Sequence, residues 1–69
     1  MPESTLSDLD LLVVDDCVGR RVQLVLAPEL VGHVVCVHVR QVDRTYTVEW
    51  LEGHELQAAD FYGFQLEVV

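Results

Sequence analysis

The 69-residue chain contains no lysine, no isoleucine and no asparagine. These residues have AT-rich codons, so a GC-rich genome accounts for their absence. Adaptation to salt also favours acids over lysine, but does not by itself produce a chain that is 51% hydrophobic. Bases are equally scarce: four arginines face twelve acids, for a net charge of -8. That balance argues against binding a nucleic-acid backbone, where affinity comes largely from cationic contacts. The apolar content argues against a disordered acidic tail, which lacks the surface to collapse. No apolar run approaches the ~18 residues needed to cross a bilayer. The stretch from Met1 to Asp10 is polar and acidic, unlike a secretory or transit segment. The expected location is therefore the cytoplasm, with no membrane association. Two cysteines are too few for a disulfide framework, and Cys17 and Cys36 are expected as free thiols.

What is present indicates one small domain. A core of this size barely offsets the entropy of ordering the chain, so domains this small often recruit metals, disulfides or further subunits. Abundant valine and leucine make a homo-oligomer the expected state.

Residues 1–17 read as an extension that packs on the domain, and residues 18–69 as the domain itself. Ser7 is a candidate N-cap, with Asp8 and Asp10 near the positive end of a short turn or helix. Arg20 to Leu26 alternates, with Val22, Leu24 and Leu26 on one side. Ala27-Pro28-Glu29 interrupts it. Gly32 opens a long second strand, predicted with Val35, Val37 and Val39 on one face and Val34, Cys36, His38, Arg40 and Val42 on the other. Asp43-Arg44 reads as a hairpin turn. The third strand, Thr45 to Leu51, directs Tyr46, Val48 and Trp50 inward. Glu52-Gly53 suits a tight turn with a glycine bulge. A fourth strand over His54 to Ala58, a turn at Asp60-Phe61-Tyr62-Gly63 and a last strand from Phe64 to Val69 complete the pattern. Short strands with frequent turn signals predict an all-β fold, a small five-stranded antiparallel SH3-like barrel with a short N-terminal turn or helix.

Three stretches carry a resemblance. Val18-Gly19-Arg20-Arg21-Val22-Gln23-Leu24-Val25, Leu30-Val31-Gly32-His33-Val34-Val35 and Tyr46-Thr47-Val48-Glu49-Trp50-Leu51-Glu52-Gly53, followed by Leu56, Phe64 and Leu66-Glu67, are similar to Tudor-like and KOW-like members of the SH3-like barrels. The similarity spans residues 18–69. Tudor domains that bind methyl-lysine use an aromatic cage, whereas the loop from Ala27 to Val31 has no aromatic residue. KOW-like modules that touch nucleic acid carry basic loops. Here the one adjacent basic pair, Arg20-Arg21, lies beside Asp15-Asp16, where surface ion pairs are expected. Gly19-Arg20-Arg21-Val22 and Gly32-His33-Val34-Val35 also resemble the opening strands of type II dihydrofolate reductases, tetramers with a central-pore active site. That family uses a Val-Gln-Ile-Tyr run and a pore lysine. Leu56-Gln57-Ala58-Ala59 keeps only the glutamine, and lysine is absent.

Cys17, His33, Cys36, His38 and His54 include zinc-ligand types, but no spacing among them defines a tetrahedral site. Cys36 is expected as a small, half-buried hydrophobe. A thiolate nucleophile needs a lowered thiol pKa, and the surrounding acids oppose that. No catalytic residues, metal or cofactor are expected. The reading is a non-catalytic protein-interaction or accessory module, self-associating, with Cys36, His38, Arg40, Phe61, Tyr62 and Phe64 as candidate interface residues. The alternatives are an oligomeric pore-type enzyme like the reductase, and an acidic inhibitor that mimics nucleic acid and binds a basic groove.

Overall fold

A computed structural model describes residues 9–69. Ser7 and the first half of the predicted extension lie outside those residues. A 3₁₀ turn, Leu9–Leu11, and a one-turn helix, α1 (Val14–Cys17), precede five strands: β1 (Arg21–Leu24), β2 (Val31–Val39), β3 (Arg44–Glu52), β4 (Glu55–Tyr62) and β5 (Leu66–Val68). A second 3₁₀ turn, Gly63–Gln65, separates the last two. All pairings are antiparallel, in the order β4-β3-β2-β1-β5, forming an all-β, barrel-like fold.

Alternation explains the core. Tyr46 and Val48 of β3 are fully buried as predicted, and Trp50 is half-buried against the same cluster. Val22, Val34 and Leu66 join them from β1, β2 and β5. The segment before β1 supplies Leu9 and Cys17, both wholly inaccessible.

Polar bonds hold that segment down. The Arg44 Nη1 donates to the carbonyl oxygens of Leu12 at 3.0 Å and Leu9 at 3.3 Å. It also donates to Tyr46 Oη at 3.4 Å, and Tyr46 Oη donates to Asp10 Oδ1 at 2.7 Å. The buried Cys17 thiol donates to the Leu9 carbonyl at 3.3 Å. The bond to Tyr46 is the main influence raising the Arg44 pKa. Burial, followed by the bond to Asp10, raises the Tyr46 pKa above the ordinary value of 10. The native state therefore holds the phenolic proton more tightly than the unfolded chain does. The sign follows: this contribution to stability is complete below pH 10 and is lost as pH rises further. We expect alkaline denaturation to steepen above about pH 10, by up to ~1.4 kcal/mol per pH unit. Tyr46→Phe should flatten that loss; an identical alkaline limb by circular dichroism would contradict the assignment.

Several predicted boundaries move. β1 stops at Leu24, because Ala27 N donates to the Leu24 carbonyl at 3.2 Å and closes a turn. Leu26, predicted to share a side with Val22 and Leu24, lies beyond the strand and is 93% exposed. The β2–β3 turn is not Asp43-Arg44: Arg40 N donates to the Asp43 carbonyl at 2.8 Å, and Arg44 already belongs to β3. β4 runs through Asp60, Phe61 and Tyr62, which were predicted as a turn, and β5 is correspondingly shorter.

The largest correction concerns β2. Its register against β3 shifts between Val34 and Cys36, leaving Val35 as an extra residue. Such a bulge reverses which parity faces the core. Val34 is consequently buried, whereas Cys36 and His38 are exposed. The predicted common face of Val34, Cys36, His38 and Arg40 does not form. Cys36 is exposed rather than half-buried, and Arg40 lies in the loop beyond β2.

Candidate functional site

The bulge and the β3–β4 hairpin together create an ordered outer face. Glu52 pairs with Glu55 across Gly53-His54, and Gly53 has φ of 67°. Glycine at the first position of a two-residue turn, with no positive φ at His54, matches a type II′ hairpin. The remaining register follows from that turn: Leu51 faces Leu56, Glu49 faces Ala58, Thr47 faces Asp60 and Thr45 faces Tyr62. From β2, His33 joins the Glu49 row, Cys36 the Thr47 row and His38 the Thr45 row.

The face changes character along its length. At the hairpin end, Val31, His33, Glu49, Leu51 and Leu56 border an open cleft of about 330 Å³. In the middle, Thr47 Oγ1 donates to Asp60 Oδ1 at 2.6 Å and lies 3.0 Å from His38 Nε2. A hydroxyl has one proton. Because Thr47 gives it to Asp60, its oxygen accepts from His38, and the ring carries its proton on Nε2. The chain orients three strands' side chains; it does not draw a proton from Thr47 towards the histidine, as nucleophile activation would require. At the far end, Tyr62 and Phe64 stack with ring centroids 5.6 Å apart and planes 6° apart.

The structure thus brings together part of the predicted interface. Cys36, His38 and Tyr62 share the outer face, and Phe64 stacks on Tyr62. Phe61 does not join them: alternation along β4 turns it to the opposite side, where it lies 6.1 Å from Trp50. Arg40 stands apart in its loop. Among the described residues, no group of three or more histidine, cysteine, aspartate or glutamate side chains could hold a metal ion.

Thr47, Asp60, Leu51 and Leu56 were missed by sequence reasoning. The available signal was Gly53: once the turn is placed at Gly53-His54, counting outward pairs each of them. No family model, no curated protein and no solved structure matches this chain.

Proposed function

We propose that this chain is a non-catalytic protein-interaction module of the SH3-like, Tudor- or KOW-like kind, and that it associates with copies of itself. The observation that carries the reading is the distribution of apolar side chains. Among the described residues, Leu51, Leu56, Tyr62 and Phe64 are all exposed on or beside one sheet face, with Leu51 at 69% and Phe64 at 64%. The fully enclosed core consists of only a few small or medium side chains around Tyr46. These side chains form two exposed apolar clusters, Leu51 with Leu56 and Tyr62 with Phe64, on either side of the polar Thr47-Asp60 row. Exposed apolar clusters beside polar groups mark interaction sites. An interaction role also fits the His38-Thr47-Asp60 chain, in which the Thr47 proton is directed to Asp60 and not to the histidine.

Light scattering coupled to size exclusion tests the reading. The expected result is a dimer or larger assembly. Each copy carries a net charge of -8, so copies repel across distances that salt shortens. Association should therefore strengthen as salt rises from roughly 0.05 to 0.5 M, where the Debye length falls from over ~10 Å to a few ångströms. A monomer at every salt concentration would overturn self-association.

A further inference from the structure

We infer that copies join through the free edge of β4, antiparallel about a two-fold axis at Ala59, so that the sheet continues from one copy into the next. This rests on the self-association proposed above and specifies its interface.

Among the described residues, β4 is one of two edges of the sheet, and with eight residues it is much the longer; β5 has three. Natural edges of that length are usually blunted by lysine, proline, a bulge or a covering element. β4 contains no lysine or proline; its charged residues are Glu55 at the turn and Asp60, whose carboxylate is tied back to Thr47 of β3. Its pairing with β3 runs without a register shift from Thr45–Tyr62 to Glu52–Glu55. Alternate residues of an edge strand direct their backbone groups away from the sheet. Tyr62 identifies the set: its N–H donates to the Gln65 side chain at 2.8 Å instead of to β3. Leu56, Ala58 and Asp60 share that parity and present their N–H groups at the edge.

Two conditions narrow the register a second copy can take, and apolar matching then picks one. A two-fold join keeps outer faces together only when an outer residue meets an outer residue. It must also avoid setting carboxylates opposite one another, which excludes an axis at Asp60. With the axis at Ala59, Ala58 meets Asp60 of the second copy and exchanges both backbone bonds with it. Leu56 meets Tyr62 of the second copy and donates to its carbonyl. Leu56 is 61% exposed and Tyr62 44% exposed, so this register covers an apolar side chain with an aromatic one at both ends. An axis at Ala58 would set Leu56 against the Asp60 carboxylate. β4 is thus complementary to itself about Ala59, which is the requirement of an isologous interface.

Two variants, followed by light scattering and sedimentation at high salt, test the inference. Ala58→Pro removes an N–H that faces the edge and leaves the β3–β4 ladder whole; it should weaken association at least tenfold, with an unchanged circular dichroism spectrum. Ala58→Arg places a cation opposite Asp60 of the second copy at two symmetric positions. Opposite-charge cross-strand pairs should tighten association roughly 2- to 30-fold. An axis at Ala58 would instead oppose two arginines and weaken it. If the wild type assembles but neither variant changes its affinity, or Ala58→Arg weakens it, the β4 interface is wrong while self-association stands. A wild type that stays monomeric overturns both.

Discussion

Gly32→Ala should remove about 3 kcal/mol of stability, at the top of the range for overpacking, and Gly32→Val should leave little folded protein. Gly32 is buried in β2 and pairs on both sides at once, with Val22 of β1 and Trp50 of β3. A Cβ there would overlap the Glu49 carbonyl oxygen and press on its carbon and the Trp50 Cβ. The obstacle is β3 backbone in the middle of the sheet, so relief requires parting the β2–β3 ladder rather than turning a side chain. Total stability for a chain of this length is on the order of 3–10 kcal/mol, so the loss is a large share of it. In urea, with m near 1 kcal/mol/M, the midpoint should fall by about 3 M or the transition should vanish. A midpoint within ~0.5 M of wild type would contradict this packing. Gly53→Ala is the useful contrast. Open space surrounds its Cβ position, and the cost comes from positive φ alone, about 1–2 kcal/mol.

Arg44→Ala should release the segment before β1. The change strips donors from the Leu9 and Leu12 carbonyls and from Tyr46 Oη. Hydrogen bonds to a charged group contribute about 1.5–3 kcal/mol. The fully buried Leu9 would lose its cover as the turn lifts, adding up to ~3 kcal/mol. Hydrogen exchange should accelerate over residues 9–17 before the β2–β3 ladder is affected, and the unfolding midpoint should fall. Unchanged protection of Leu12 would show that packing alone anchors the segment. Arg44 was assigned to a turn on sequence grounds, since Asp43-Arg44 is a polar interruption between two β-rich runs. Composition shows that break, but not that the loop closes one residue earlier and leaves the guanidinium beneath the N-terminal segment.

The same division holds at the outer face. Tyr46, Val48 and Trp50 could be directed inward from their alternation, and Gly53 marked its turn because few other residues tolerate the required φ. Phe61, Tyr62 and Phe64 looked like one cluster because they are close in sequence. They separate because β4 extends through Tyr62, and strand pleating sends adjacent residues to opposite sides. The β4 edge could not be recognised at all until the strand order was known.

By itself, the sequence determined the all-β class, the inward side of β3, a turn at Gly53 (without the predicted bulge, and with His54 in the turn) and the excess of acid over base. These depend on period-two patterning, local backbone limits and charge, which are properties of neighbours along the chain. Only the tertiary structure decided that Val35 bulges and so parts Val34 from the outward Cys36 and His38, that Arg44 anchors residues 9–12, and that one side of β4 has no neighbouring strand among the described residues. A bulge adds one residue to a pairing without altering the run of valines around it. An edge is defined by which strand is missing beside it, so both are settled by cross-strand register rather than by local preference.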